Sequence, residues 1–390
     1  MKLLLIGNVN GAYRTQNLVK VLLDKGHEVS LVASRFYAGT RVLTTGRPTP
    51  FRMLASFRTL LANFLFVGEV FLKAPFADCL YLLPMNHTKF PVAYLARMVW
   101  RKRLIAEFYF SLFDTAKDRG WICDDKSFYA RLYRFLDRLL LTRSDWVVHL
   151  SRRELEHAAR LVGATLDEKR VVICPLVVDP RAIAASAKEN PGSFRLCWWG
   201  SFIPLHGLEK ILSAMALLRQ SGSPAALDIL GVPGKESDRY AQLIKEQNLY
   251  DYVRLHTEKT FADGSLEAYL VENCDLAFGV FGDSEKAWNT IPNKIIDAFA
   301  MGLPVLTMEA PALEEFIDTR NELFTCANTP EAIAEAIWQR AADRTERSRR
   351  AAAGYRRYLA TFSPARYAQT VAQLLDQVTE KYAEMPGGLL

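Results

Sequence analysis

One unit occurs twice in this chain: a short apolar run, a loop bearing glycine, and an amphipathic helix. No other feature constrains the fold as much. The first copy is KLLLI from Lys2 to Ile6, the loop Gly7-Asn8-Val9-Asn10-Gly11, and a helical pattern from Arg14 to Lys25 with Leu18, Val21 and Leu22 on one face. The second is FRLCW from Phe194 to Trp198, the loop Trp199 to Gly207, and LEKILSAMALLRQ from Leu208 to Gln220. Runs this short and this apolar suit strands buried on both faces of a parallel sheet. A strand that feeds a helix and then another strand is the α/β building block.

The 390 residues suffice for two such halves, at ~150 residues per domain. The predicted units are a Rossmann-like N-terminal domain over 1–185, a Rossmann-like C-terminal domain over 193–363, and a closing helix over 364–390. Asp179 to Gly192, with Pro180, Asn190, Pro191 and Gly192, reads as the linker. Further strands are expected at Glu28–Ala33, Cys79–Leu83, from Leu104, at Asp145–Leu150, Val171–Pro175, Leu227–Leu230, Val253–His256 and Leu276–Phe281. Helices are expected at Phe57–Phe71, Pro91–Arg103, Phe128–Leu141, Ser237–Gln247, Glu331–Arg340 and Pro364–Tyr382. Ser151 and Glu154 form a capping-box pattern ahead of another. The first loop lacks the full GxGxxG, so no dinucleotide assignment follows.

Several classes are disfavoured. Six cysteines are scattered without a CxxC, and the six histidines show no metal-ligand spacing, so neither a zinc site nor a disulfide framework is expected. The apolar start is too short for a signal peptide. Leu60 to Leu72 contains Glu69 and falls short of the ~20 apolar residues a bilayer crossing takes. Charge divides unevenly. Residues 1–190 hold 29 Lys+Arg against 17 Asp+Glu, net +12, and residues 191–390 are net −6. A basic half implies an anionic partner for it. No nucleic-acid-binding motif is present, so nucleic acid is not expected.

The stretch most directly tied to chemistry is IPNKIIDAFAMGLPVLT, Ile291 to Thr307. Pro292 suits the first helical turn. Asn293 and Lys294 then lie at the helix N-terminus, where unpaired N–H groups and the dipole favour an anion. Gly302 and Pro304 end the helix, and Val305 begins a strand. The alternative is an ordinary amphipathic helix with a lysine near its start.

This segment resembles the nucleotide-sugar signature of retaining GT-B glycosyltransferases of family 4. There the pattern is Glu, seven residues, Glu, followed by Ala-Met-Ala-x-Gly-x-Pro-Val. Asp297 to Val305 fits the second half with Asp for Glu, and Asn289 stands where the first Glu falls. The resemblance implies that Asp297 grips the donor ribose. Trp199 to Gly207 is similar to the family's phosphate loop, with Ser201 and His206 in place of its Arg and Lys. Gly200 and Ser201 would still donate hydrogen bonds there. Gly231 matches a glycine turn after the next strand. Ser111, Leu112, Asp114, Thr115, Asp118 and Arg119 resemble a Ser-Leu-Tyr-Asp-Thr segment and nearby Asp-Arg of bacterial members, with Glu107 where Asp is usual. Two roles stay open for Asp114: facing the acceptor hydroxyl, or capping the next helix. Gly11, Asn86 and His87 are the expected acceptor or cleft-loop residues, at strand ends where open α/β sheets place ligands.

The implied fold is α/β of the GT-B type: two Rossmann-like domains facing each other across a cleft, with the C-terminal helix crossing back to the first. The implied enzyme transfers a sugar from a nucleotide-diphosphate donor to a glycan, lipid-linked or other acceptor, with retention. Asp114 and Lys294 are the catalytic candidates. Gly200, Ser201, His206, Gly231, Asn293, Lys294 and Asp297 are the donor-binding set. No metal and no cofactor beyond the donor substrate is expected. The expected location is cytoplasmic, and an anionic membrane surface is the further expected partner. A nucleotide-sugar epimerase and a catalytically silent scaffold are the alternative functions.

Overall fold

A computed structural model describes residues 1–8, 13–33, 50–184 and 194–383. The glycine loop with Gly11 lies outside the described residues, as does 185–193 of the linker.

Twelve strands form two parallel sheets. In the first are β1 (Lys2–Ile6), β2 (Glu28–Val32), β3 (Cys79–Leu82), β4 (Arg103–Glu107), β5 (Trp146–His149) and β6 (Val171–Ile173). In the second are β7 (Arg195–Gly200), β8 (Ala226–Gly231), β9 (Val253–His256), β10 (Leu276–Phe278), β11 (Val305–Met308) and β12 (Phe324–Cys326). The first sheet runs β2-β1-β3-β4-β5-β6, and the second runs β12-β11-β10-β7-β8-β9. Every neighbouring pair is parallel. In both sheets the chain reverses its direction of travel at the first strand, beside β1 and beside β7. Ligands of open α/β sheets bind at such switch points, beyond the strands' carboxyl ends.

The strands form where the apolar runs lie, and both faces are covered. Leu4 and Ile6 pack into one core of the first half while Leu3 and Leu5 pack into another. The second of these cores is closed by the C-terminal helix Pro364–Ala383, which supplies Tyr367, Val371, Leu374, Leu375 and Val378. The last helix therefore crosses back to the first half. It is tied there by a buried network. Arg14 Nε donates to Glu107 at 2.5 Å, Tyr81 donates to the other oxygen of Glu107 at 2.7 Å, and Tyr367 donates to the Arg14 carbonyl at 3.4 Å.

Several expectations change. The helix expected over Phe57–Phe71 spans Pro50–Lys73. Pro292 precedes its helix as the N-cap rather than lying within it. The capping box at Ser151 is half made: Ser151 Oγ accepts from Glu154 N, but Ser151 N donates to His149 Nδ1. Asp114 does not cap its helix. Ser111 does, accepting from Asp114 N at 3.0 Å.

Candidate active site

A cleft of about 440 Å³ opens between the halves, at the carboxyl ends of both sheets. Tyr109 and Phe110 follow β4 on one wall. Trp199, Gly200 and the helix start Pro292-Asn293-Lys294 form the other.

The anion corner is built around Lys294, on helix Asn293–Ala300. Its side chain is 4% exposed, and its ammonium has no hydrogen-bond partner. It lies 4.2 Å from the centre of the Trp198 ring, whose π-face partly offsets desolvation. Burial drives its pKa well below the usual lysine range, because nothing anionic compensates the charge. Gly200 makes this geometry possible. Its φ of +135° suits glycine, and a Cβ there would lie 3.3 Å from His206 Cε1 and 3.7 Å from Lys294 Nζ. His206 Nδ1 donates to the Ser201 carbonyl at 2.6 Å. Burial first, and Lys294 second, push the imidazole down to about 2. The neutral imidazole is favoured, so His206 does not replace the charge of the lysine whose place it takes.

Asp297, on the same helix, lines the cleft beside Phe261. Arg181, from the segment joining the halves, donates to it at 3.2 Å and bonds Glu267 at 3.2 Å. Burial raises Asp297 to about 6 against the pull of Arg181.

The N-terminal wall centres on helix Leu112–Asp118. Asp137, fully buried on a neighbouring helix, accepts from Ser111 Oγ at 2.7 Å, Phe113 N at 3.0 Å and Leu112 N at 3.2 Å. This carboxyl satisfies the orphan N–H groups of a helix start and fixes the helix to the core. Asp114 lies 3.6 Å from Lys286 Nζ and 3.8 Å from His157 Nε2. Lys286 comes from the C-terminal half and also donates to Thr115 Oγ1 at 2.6 Å. One ammonium thus bridges the halves beside the acid. Glu154, freed from the capping role, lines the cleft and is pushed up to about 7 by burial.

Of the residues expected here, Gly200, Ser201, His206, Asn293, Lys294 and Asp297 do line one cleft. Asp114 is not among the cleft-lining residues, although its neighbour Thr115 is. Asn86 and His87 do not reach the cleft lining. Asn86 Oδ1 accepts from Asn8 N, and its Nδ2 donates to Leu83 and Pro84 carbonyls. His87 is buried against Phe108 and Phe110. Gly231 also stays outside the lining, its missing Cβ making room for the Phe202 ring. Asn289 faces an outer cavity, donating to the Glu285 carbonyl. Sequence reading missed Lys286, Glu154 and Arg181. No local pattern marked Lys286 or Arg181, whereas Glu154 carried a signal that pointed to a cap instead.

Two facing parallel sheets, a cleft at their carboxyl ends and an anion corner at a helix start define a GT-B sugar-nucleotide enzyme. Residues 193–343 match the family described as glycosyl transferases group 1, and residues 11–176 match the glycosyl transferase 4-like domain. The chain is a GT-B glycosyltransferase resembling family 4. Its fold is shared with HepE of Anabaena, solved with UDP, at a TM-score of 0.69 and 13% identity over 97% of this chain and 100% of that one. Sucrose-phosphate synthase of Thermosynechococcus elongatus superposes with a TM-score of 0.73 and 16% identity, over 98% and 100% of the two chains. The lipopolysaccharide outer core galactosyltransferase WaaB gives 0.59 and 12%, over 97% and 99%.

Proposed function

We propose that the protein transfers a sugar, with retention, from a uridine-diphosphate donor to a glycan or lipid-linked acceptor. The observation that carries this reading is the unpartnered, buried ammonium of Lys294 at a helix start facing the cleft. A buried charge left without a partner is costly, and a diphosphate placed there removes the cost. The same contact stabilises the charge that grows on the leaving diphosphate as the glycosidic bond breaks. Uridine is proposed as the base because HepE was also solved with UDP-glucose. Asp297 takes the ribose hydroxyls with the oxygen that Arg181 does not hold, and Asp114 orients the acceptor hydroxyl.

The acceptor half carries a surface suited to a membrane. Phe64 and Leu72 are each 74% exposed and Phe76 is 78% exposed. Leu95, Met98 and Val99 are exposed on the helix packed beside them, and Arg101 and Lys102 follow at its end. Among the described residues no helix is long and apolar enough to cross a membrane. Peripheral attachment to an anionic leaflet presents the cleft to a lipid-linked acceptor.

The test is a mass-spectrometric screen of nucleotide sugars against glycan and lipid-linked acceptors, with product anomers read by NMR. Transfer with the donor's anomeric configuration is the expected result. An epimerised sugar nucleotide formed without acceptor overturns the transferase reading, and inversion overturns the stereochemical part.

A further inference from the structure

A donor diphosphate carries at least two negative charges, and among the described residues the C-terminal wall offers one side-chain cation to meet them. Ser201 is uncharged. His206 is kept from charging by burial and by the nearby Lys294 ammonium, which outweigh its hydrogen bond to the Ser201 carbonyl. Arg181 lies near, but it is engaged by Asp297 and Glu267. Lys286 is engaged by Thr115 and Asp114. That leaves Lys294 facing the anion corner alone on its side.

The opposite wall supplies another cation. Arg119 follows helix Leu112–Asp118 as its C-cap and lines the same cleft as Lys294, Ser201 and His206. Its side chain is exposed, and its guanidinium lies 5.1 Å from the Trp121 ring centre. It makes no ion pair among the described residues. Its neighbour Asp118 lines the cleft as well, and one of its carboxylate oxygens is buried without a hydrogen-bond partner. The charge of Arg119 is close enough to His206 to oppose its protonation. Its helix cannot drift freely, because Asp137 holds the helix start to the core.

We infer that Arg119 is the second cation of the donor diphosphate site, reaching across from the N-terminal half. This rests on the reading of the cleft as the donor site. Arginine suits the task, since its planar fork matches two phosphate oxygens at once. The donor is then gripped from both halves, and the N-terminal wall takes part in donor binding as well as acceptor binding.

The experiment titrates the full chain with UDP and, separately, with uridine, by calorimetry. Arg119→Ala, Arg119→Lys and Lys294→Ala are compared with the unmodified protein after their thermal transitions are matched. Arg119→Ala is expected to weaken UDP binding ~10-fold or more, the scale of one lost hydrogen-bonded charge. Uridine binding should stay unchanged, and Arg119→Lys should recover part of the loss. UDP binding unaltered in Arg119→Ala but lost in Lys294→Ala overturns the Arg119 assignment and leaves the donor site standing. UDP binding unaltered in both overturns the donor site itself. Equal weakening of UDP and uridine assigns Arg119 a merely structural role and also overturns the inference.

Discussion

Lys294 is both the most unusual side chain in the cleft and the simplest to interrogate. Removing its ammonium relieves the desolvation penalty in the empty protein but removes the contact proposed with the leaving diphosphate. Lys294→Ala should therefore lower kcat/KM by ~100-fold or more, the scale of losing one oxyanion donor, while the protein keeps or gains thermal stability. Lys294→Arg should be milder. Turnover near that of the unmodified enzyme in a folded Lys294→Ala variant places the anion elsewhere. His206 behaves differently. Burial and the nearby Lys294 lower its pKa to about 2 and favour the neutral imidazole, so the activity lost in His206→Ala should be the same in mildly acidic and mildly alkaline buffer. A penalty that grows toward acid means the imidazolium does carry charge in the bound state. The placement of Lys294 at a helix start was readable in advance because it depends on local order: Pro292 before it, helix after it. The lowered pKa of His206 was not readable, because it depends first on burial in the folded chain and then on a lysine distant in sequence.

Helix Leu112–Asp118 carries Asp114, Asp118 and Arg119, and its placement depends on one carboxyl from another helix. Burial raises Asp137 to about 7. The sign follows from proton binding: between roughly pH 4 and 7 the folded state holds a proton that the unfolded state has released. Asp137 thus contributes stability at low pH that declines as pH rises toward 7 and then levels off. Asp137→Asn, which keeps the acceptor oxygen, should flatten that slope in thermal melts across the same pH window. Asp137→Ala should cost ~1–3 kcal/mol by stranding buried donors. Identical pH slopes for the Asp137→Asn variant and the unmodified chain would show that the proton is not held there. Most strands were legible because each is a short apolar run ending at a turn. Helix Arg344–Arg357 was not. It docks through Ala351, Ala353 and Gly354, and a Cβ on Gly354 would lie 2.6 Å from the Phe299 ring. A helix that packs through its smallest residues shows no apolar stripe to read.

At the scale of the whole molecule, the basic first half and its exposed apolar helices define one face. Vesicle flotation should recover the protein with anionic lipid and lose it as salt is raised, at ~1 kcal/mol per basic residue near the surface. Equal recovery with neutral vesicles argues against an electrostatic mode. This face was half legible: the amphipathic run over Phe57–Phe71 stood out, yet pattern alone could not separate its buried Phe66 and Val70 from the exposed Phe64 and Leu65.

The polypeptide passes between the halves twice, once after β6 and once before the final helix, and the two passages touch. Val178 N donates to the Phe362 carbonyl at 3.1 Å, and Tyr358 donates to the Val178 carbonyl at 3.1 Å. Two passages bonded to each other must be displaced together, so the crossover is a double connection and not a single flexible tether. Arg181 lies only a few residues along the chain from the first passage and donates to Asp297, so the helix after Pro292 is held to the crossover as well. The ribose contact proposed for Asp297 is therefore tied to the crossover through Arg181, whereas the Lys286 to Thr115 bond joins the halves at a separate point.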